Sequence, residues 1–220
     1  MSIAFFDFDE TVITGKSMFV FLREYSEHFQ LKCGLSLSQI MKKIHELSNA
    51  GQDREDINRY YYSLFKGEEQ FQIRMLAKKS FNKGCYNFNP EVVKKIKYHQ
   101  SRNDDVVFVS GAMTDIIHPA MEALEVKNSI CSEPIVSNGF YTGELTKVSI
   151  GYHKAVYARH YAQNHDQQLA ECYAYGDHIS DIELLQLVGH PCAVNPSPEL
   201  IAEAERQGWP ILYSQSSGHL

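Results

Sequence analysis

The pattern of hydrophobic and polar residues changes twice along the chain. Residues 3–6 form an apolar run without polar alternation, which is typical of a strand buried on both faces of a parallel sheet. Residues 17–81 carry apolar side chains at helical spacing. From residue 84 onward, short apolar runs alternate with helical stretches, as in a parallel sheet covered by helices on both faces. The pattern predicts a doubly wound α/β fold with a helical insertion.

The helical stretch contains four predicted helices. The first covers residues 17–30, and the second begins with a capping-box sequence at residues 36–39. The third follows a cap at Asp53 and is ended by Gly67. The fourth covers residues 68–81. Because no strand pattern interrupts them, we expect a helical-bundle domain inserted into an α/β core, with the bundle at 16–83 and the core at 1–15 and 84–220.

The alternating stretch predicts the rest of the core. Strands are expected at residues 106–109, 172–175, 192–194 and 209–213, and helices at residues 90–101, 115–124, 153–163, 181–188 and 198–207. The pair Asn138-Gly139, which stands between apolar residues, predicts a β-hairpin over residues 129–145. Residues 214–220 are polar, and we expect them to be disordered.

Composition and charge narrow the class of protein. The chain has 220 residues, of which 44% are hydrophobic and 22% charged, as in ordinary soluble domains. Its formal net charge of -6 argues against a partner such as nucleic acid or an anionic membrane held by general electrostatics. The sequence has no apolar run of transmembrane length and no cleavable leader, so we expect a cytoplasmic protein. The five cysteines lack the spacing of a metal site or a disulfide framework.

Polar residues that could take part in catalysis or ligand binding follow the predicted strands. The first strand ends with two carboxylates, Asp7 and Asp9. Ligands bind at the carboxyl ends of strands in open α/β sheets, and two close carboxylates need a cation or a shared proton to offset their repulsion. The pair therefore indicates a metal site, an acid/base pair, or both. Later segments bring further polar residues to the same edge of the sheet: Ser110, Gly111, Lys154, Asp177 and Asp181.

The sequence Asp7-Phe8-Asp9-Glu10-Thr11 resembles the first motif of the haloacid dehalogenase superfamily, in the form used by its phosphatases. The residues that stand in the places of the second, third and fourth motifs follow in order: Ser110, Lys154, and Asp177 with Asp181. Three later segments are similar to subfamily IB, whose phosphoserine-phosphatase-like members have a helical cap after the first motif: residues 143–145, 188–196 and 208–210. The resemblance covers nearly the whole chain and implies a Rossmann-like core with a helical cap.

The resemblance also implies roles for these residues. It implies a magnesium-dependent phosphatase that hydrolyses a small phosphomonoester through an aspartyl-phosphate, with Asp7 as nucleophile and Asp9 as general acid and base. The residues that would bind the phosphoryl oxygens are Thr11, Ser110, Gly111 and Lys154. The groups that would hold Mg²⁺ are Asp7, the backbone carbonyl of Asp9, Asp177 and, through a water, Asp181.

Substrate choice is expected to depend on the cap. Phosphoserine phosphatases place a glutamate in the turn after the first motif, where it pairs with the substrate amine, and Lys16 stands at that position here. A cation there would repel an ammonium group, which argues against phosphoserine and leaves histidinol phosphate, glycerol-type phosphates and lipid-derived phosphates as alternatives. Lys16 and His178 are the candidate substrate contacts.

Other functions use similar residues. A phosphotransferase would pass the phosphoryl group to a second alcohol with the same machinery. A receiver-like signalling module also gathers acids, a Ser/Thr and a Lys on a doubly wound sheet, but it is shorter and has no helical insertion of this size. A dehalogenase is disfavoured because such enzymes lack the second aspartate, which is present here as Asp9.

Overall fold

A seven-stranded sheet lies at the centre of the part of the chain that the structure describes, residues 2–214 of a computed structural model. The strands of the chain are β1 (Ile3–Asp7), β2 (Ile13–Thr14), β3 (Asn87–Phe88), β4 (Asp105–Met113), β5 (Asn128–Ser137), β6 (Phe140–Lys147), β7 (Tyr173–Gly176), β8 (His190–Val194) and β9 (Ile211–Leu212). The sheet has the order β6-β5-β4-β1-β7-β8-β9, in which β5 and β6 are antiparallel and the other neighbours parallel. The predicted doubly wound sheet is confirmed.

Helices cover both faces of this sheet. They are α1 (Ser17–His28), α2 (Leu37–Asn49), α3 (Arg54–Ser63), α4 (Gln70–Asn82), α5 (Pro90–Ser101), α6 (Thr114–Ala123), α7 (Tyr152–Asn164), α8 (Ile182–Leu187) and α9 (Pro198–Gln207). Alternate residues of a strand point to opposite faces. Phe6 of β1 therefore belongs to a core cluster with residues of α5 and α6, whereas Phe5 belongs to one with residues of α7, α8 and α9. This explains why all of β1 is buried.

Helices α1 to α4 form the insertion, and they lie between β2 and β3, which pair antiparallel. The hydrophobic pattern does not predict this pair, because two-residue strands carry no hydrophobic period. The predicted starts of the second and third helices are correct, since Ser36 forms a capping box and the Asp53 side chain caps α3. The fourth helix begins at Gln70, two residues later than expected. Buried residues of the insertion such as Phe21 belong to the same core cluster as Phe6. The insertion and the sheet thus share one hydrophobic core.

A second connection joins the insertion to the sheet. Helix α3 ends at Ser63 and not at Gly67, because the chain turns there to pair with the β5–β6 hairpin. The Gly67 N–H donates to the Tyr141 carbonyl at 2.7 Å, and the Tyr141 N–H donates to the Glu68 carbonyl at 2.9 Å. The hairpin itself turns at residues 138–139, both with positive φ (52° and 84°), as the Asn-Gly pair predicts.

Two further expectations are adjusted by the structure. The helix predicted at 181–188 is divided into a 3-10 helix, Ile179–Asp181, and α8. The last predicted strand is shorter, since β9 covers Ile211–Leu212. The predicted disorder of the tail falls on residues 215–220, outside the described residues. Among the helices of residues 2–214, none combines the length and the apolar character needed to span a membrane.

Candidate active site

Three neighbouring strands deliver the predicted site residues to one edge of the sheet. Strand β1 lies between β4 and β7 and ends at Asp7, at the switch point of the strand order where ligands bind in open sheets. A cavity of about 460 Å³ lies between this edge and helices α1 to α3. It is lined by every predicted site residue except Thr11: Asp7, Asp9, Lys16, Ser110, Gly111, Lys154, Asp177, His178 and Asp181.

The innermost part of the site is a buried group of three acids and one base, which we name the carboxyl-edge cluster: Asp7, Asp177, Asp181 and Lys154. Lys154 Nζ donates to Asp7 Oδ1 at 2.6 Å and to Asp181 Oδ1 at 2.7 Å. Lys154 lies in the first turn of α7, three residues after Gly151, which has a positive φ of 53°. The lysine thus links the strand end of β1 to the 3-10 helix after β7.

The carboxyl-edge cluster contains more acidic than basic groups, and burial together with this excess shifts their pKa values. Burial raises the pKa of Asp7 well above its usual range, and Asp181 adds to this effect while Lys154 opposes it. Burial and Asp181 also raise the pKa of Asp177 to about 6. Burial alone would disfavour a charged Lys154, but Asp181 and Asp7 outweigh it and raise the pKa of its ammonium group. Three carboxyl groups compete for one positive charge.

This donor set fits a divalent cation. Carboxylate oxygens of Asp7, Asp177 and Asp181 lie within 4.8 Å of one another, and carboxylates are the hard ligands that Mg²⁺ prefers. Gly176 keeps room for this arrangement, since a Cβ at that position would lie 3.0 Å from Asp181 Cβ and 3.1 Å from its Oδ2. The residues present are therefore compatible with the predicted magnesium site.

Asp9 is held by the amino terminus of α1. Its Oδ1 accepts a hydrogen bond from the Ser17 N–H at 2.8 Å. The turn between them contains Glu10, whose φ is +61° and whose N–H donates to the Gly15 carbonyl at 3.1 Å. Burial raises the pKa of Asp9, and the hydrogen bond from Ser17 opposes this shift. One carboxyl oxygen of Asp9 is thus fixed in place.

Thr11, which is predicted among the phosphate-binding residues, contacts the carboxyl-edge cluster. It is fully buried and does not line the cavity. Its hydroxyl donates to Asp177 Oδ1 at 3.1 Å. The structure therefore directs Thr11 at a carboxylate of the cluster, so that its hydroxyl helps to orient Asp177.

Ser110 and Gly111 lie in a bulge of β4. The pairing of β4 with β5 shifts register between Ser110 and Met113, which leaves Gly111 and Ala112 as extra residues on β4. Inside the bulge, the Ala112 N–H donates to Ser110 Oγ at 3.0 Å. A Cβ at position 111 would lie 2.8 Å from Cγ1 of Ile150, so a larger residue there would displace the Ile150 side chain.

The outer part of the cavity carries both predicted substrate contacts. Lys16 Nζ lies 3.5 Å from Glu10 Oε2, and both side chains are about half exposed. This pairing reduces the repulsion of an ammonium group that we expected from Lys16. His178 Nδ1 accepts from the Ser180 N–H at 3.1 Å, and Arg54 Nη1 lies 3.1 Å from the same nitrogen. Burial and Arg54 lower the pKa of His178. Apolar side chains complete the wall, among them Met18, Phe19, Ile44 and Ile57.

Asn58 of α3 is not among the residues that the sequence singles out. Asn58 of this helix lines the cavity, and it donates to the Gly111 carbonyl at 3.1 Å. The available signal was the spacing of Arg54, Asn58 and Tyr62, since residues four apart share one face of a helix. Polar side chains on the core-facing side of a helix indicate a buried polar contact. Their spacing does not predict which residue is the partner.

Comparison with known proteins agrees with this geometry. The model of the haloacid dehalogenase-like hydrolase family matches residues 4–186. A probable phosphatase of Mycobacterium tuberculosis is 32% identical over 212 residues, which are 95% of this chain and 74% of that protein. A solved structure of a protein of unknown function from Bordetella pertussis Tohama I has a TM-score of 0.86 at 21% identity and covers 96% of this chain and 97% of its own.

A phosphoserine phosphatase solved as a phospho-aspartyl intermediate analogue has a TM-score of 0.69 at 20% identity and covers 97% of this chain and 93% of its own. At these identities, both structures support the fold. The family match includes every residue from Asp7 to Asp181 and confirms the resemblance that the first motif indicated. It is a match to hydrolases and gives no support to a receiver-like module. The chain therefore belongs to the haloacid dehalogenase-like hydrolase family.

Proposed function

We propose that the protein hydrolyses a small phosphomonoester through an aspartyl-phosphate formed on Asp7, with Mg²⁺ as its cofactor. The observation that carries this proposal is the carboxyl-edge cluster, in which a buried strand-end aspartate is hydrogen-bonded to a buried lysine beside two further carboxylates. The Mycobacterium tuberculosis relative named a probable phosphatase supports the same reaction class. Residues 16–83 act as the cap that covers the leaving group.

In the first step, a carboxylate oxygen of Asp7 attacks phosphorus while the bond between phosphorus and the leaving oxygen breaks. Asp9, protonated at this stage, gives its proton to the leaving oxygen. The Ser17 N–H holds Oδ1 of Asp9 at 2.8 Å, so the proton is carried by the other carboxyl oxygen. The alcohol leaves, and Asp7 carries the phosphoryl group.

In the second step, the same residues act in reverse order. Asp9, now a carboxylate, takes a proton from water, and the water oxygen attacks phosphorus. The bond between phosphorus and Asp7 breaks, which releases inorganic phosphate and restores both aspartates to their starting forms. The phosphoryl oxygens, on which negative charge must be stabilised, are held by Ser110, the Gly111 N–H and Lys154.

The carboxyl-edge cluster also supports the cofactor. Asp7 and Asp177, with the backbone carbonyl of Asp9 and with Asp181 beside them, would hold Mg²⁺. The ion, when bound, offsets the negative charge that would otherwise keep a carboxylate nucleophile away from a phosphate dianion. Thr11 orients Asp177 through its hydroxyl.

The proposal is tested by phosphate release from a panel of phosphomonoesters, with Mg²⁺ and with chelator. Asp7→Asn should abolish release because the amide is nearly isosteric but a poor nucleophile. Asp166→Asn is the matched control, since Asp166 is exposed and has a positive φ that asparagine tolerates. Release that persists in Asp7→Asn, after deamidation has been excluded by mass spectrometry, would refute the assigned nucleophile.

Transfer to an alcohol would use the same intermediate. Adding a competing alcohol to the assay distinguishes the two reactions, because hydrolysis yields inorganic phosphate whereas transfer yields a new phosphomonoester. If the transfer product exceeded free phosphate, the protein would be a phosphotransferase and not a hydrolase. The role of Asp7 as nucleophile would be unchanged.

A further inference from the structure

We infer that Asn58 and Tyr62 of α3 are positioning residues for the phosphate subsite, and that they orient the hydroxyl of Ser110 through the peptide between Gly111 and Ala112. The inference rests on the proposed function, because it concerns how that site holds phosphate. Asn58 and Tyr62 are 5% and 1% exposed. They lie in the helical insertion, four residues apart on one face of the helix.

The bulge in β4 makes this contact possible. Because the ladder with β5 is interrupted after Ser110, the Gly111 carbonyl takes its partners from α3. It accepts from Asn58 Nδ2 at 3.1 Å and from the Tyr62 hydroxyl at 3.0 Å. A carbonyl oxygen has two lone pairs, so both donors can bind at once. Two donors from one rigid helix fix the plane of the peptide that follows Gly111.

The other end of that peptide acts on Ser110. Its N–H belongs to Ala112 and donates to Ser110 Oγ at 3.0 Å. This bond uses Oγ as an acceptor, so the hydroxyl hydrogen is left to donate into the cavity that Ser110 lines. Donors on the carbonyl polarise the peptide and strengthen the hydrogen bond made by its N–H. Asn58 and Tyr62 therefore influence both the direction and the strength with which Ser110 binds a phosphoryl oxygen.

Asn58 is itself held in a defined orientation. Its Oδ1 accepts from the Ser132 hydroxyl at 3.4 Å, and Ser132 Oγ accepts from the Ser149 N–H at 3.0 Å. Both serines are buried. This chain fixes the amide oxygen away from Gly111 and so presents the amide nitrogen to the Gly111 carbonyl.

The test is a double-mutant cycle between Tyr62→Phe and Ser110→Ala, read as kcat/KM for the phosphomonoester that wild type hydrolyses best. Tyr62→Phe should lower kcat/KM about tenfold when Ser110 is present and less than about twofold in the Ser110→Ala background. Asn58→Leu should show the same dependence on Ser110. The inhibition constant of inorganic phosphate should rise in parallel, because the altered contact is with the phosphoryl group.

The matched control is Tyr25→Phe. It removes another buried tyrosine hydrogen bond of the insertion, the one from Tyr25 to Glu68 at 2.5 Å, outside the cavity. Its kcat/KM should equal that of wild type. An equal loss from Tyr62→Phe in the Ser110 and Ser110→Ala backgrounds would overturn the inference, since it would show that Tyr62 only holds α3 in place.

The inference can also be tested if the proposed hydrolysis does not occur. If wild type releases no phosphate from any substrate, calorimetric binding of inorganic phosphate in the presence of Mg²⁺ replaces the kinetic readout. Weaker binding in Tyr62→Phe that disappears in the Ser110→Ala background supports the inference without turnover. Equal weakening in both backgrounds, or no phosphate binding by wild type, overturns it.

Discussion

Two buried polar clusters lie at opposite ends of the central sheet. The carboxyl-edge cluster surrounds the base Lys154 with three acids. At the other end, Ser2, His99, Asp104 and Tyr175 form what we name the amino-edge cluster. His99 contacts Asp104 Oδ2 through Nδ1 at 3.0 Å and the Tyr175 hydroxyl through Nε2 at 2.9 Å. The Ser2 N–H donates to Asp104 Oδ1 at 2.9 Å.

The two clusters differ in how well their charges are matched. In the amino-edge cluster, burial opposes ionisation of Asp104, but hydrogen bonds from His99 and Ser2 and the Arg102 guanidinium, whose Nε lies 3.3 Å from Asp104 Oδ2, hold its pKa below the usual range. In the carboxyl-edge cluster, the pKa values of Asp7 and Asp177 are raised. Satisfied networks fix a core, whereas excess charge beside a cavity is typical of sites that bind a ligand. Burial and polarity are common to both clusters, whereas the raised carboxyl pKa values beside a cavity belong to the carboxyl-edge cluster.

Removing the base of each cluster tests this contrast, and Lys154→Met should have the largest effect. It leaves buried carboxylates without their cation, so the free energy of unfolding at pH 8 in chelator should fall by about 3 kcal/mol. Turnover should fall at least about a hundredfold, because phosphate loses a charged donor. Urea unfolding and phosphate release measure the two effects.

Lys94→Met is the control for Lys154→Met. Lys94 pairs with Glu91 on the surface, with its side chain 71% exposed, so the variant should change the free energy of unfolding by less than about 1 kcal/mol. Wild-type stability and turnover in Lys154→Met would contradict the unbalanced charge that we assign to the carboxyl-edge cluster.

His99→Leu should have a smaller effect, and on stability alone. It removes two buried hydrogen bonds, so the free energy of unfolding should fall by about 2–3 kcal/mol. The kcat of the folded variant should stay at the wild-type value, since His99 does not line the cavity. His165→Leu is the control, because His165 is exposed, hydrogen-bonds the Tyr161 carbonyl and stacks on the Tyr161 ring, away from both clusters. A loss of kcat in His99→Leu would contradict the assignment of a purely structural role to the amino-edge cluster.

The clusters should also respond to pH with opposite signs. Burial lowers the pKa of His99, with Asp104 opposing and Arg102 and Lys95 adding to the shift. Its contribution to stability is therefore present above the unfolded pKa of about 6.5 and is lost as the pH falls. The pKa of Asp177 is raised from 3.8 to about 6, so its carboxylate costs stability that grows as the pH rises through that range.

Urea unfolding of His99→Leu and Asp177→Asn in chelator checks these signs. The deficit of His99→Leu relative to wild type should be larger at pH 8 than at pH 5. The stability of Asp177→Asn relative to wild type should be more favourable at pH 8 than at pH 4. Parallel pH profiles for the two variants would mean that the clusters are not electrostatically different.

Lys16→Gln should have the smallest effect of the series. The side chain is about half exposed and pairs with Glu10 at 3.5 Å, and exposed pairs contribute little. For a substrate with a neutral leaving group, kcat/KM should change by less than about threefold. A larger change would show that Lys16 contacts the leaving group directly and belongs with the charged residues of the inner site.

The carboxyl-edge cluster could be predicted in large part from the sequence. Asp7 follows an apolar run, and Ser110 and Asp177 follow two others, so parallel pairing alone brings them to one edge. Lys154 is on a helix, yet its position at the start of the helix predicted over residues 153–163 gave the same expectation. The family resemblance then assigned a role to each of these residues, which the hydrophobic pattern cannot do.

The remaining features depend on tertiary packing. The hydroxyl of Thr11 donates to Asp177, which is 166 positions away in the chain, and no local pattern specifies that contact. The same holds for α3. The sequence does not show that Asn58 and Tyr62 of this helix donate to the Gly111 carbonyl, because the contact forms only when the helix packs against the bulge in β4. The sequence likewise does not show that His99 of α5 is buried with partners for both ring nitrogens, Asp104 and Tyr175.

The backbone bonds between the insertion and the β5–β6 hairpin limit how the cavity can open. The insertion is tied to the core by this contact, at Gly67 and Tyr141, and by the β2–β3 pair, so a rigid swing of the whole insertion would break main-chain bonds. Helix α2 buries only Ile40 and Ile44 and is the least anchored wall. We therefore expect a local sliding of α2 to admit substrate while α3 keeps its contacts, so that in amide hydrogen exchange α2 loses protection before α3 does.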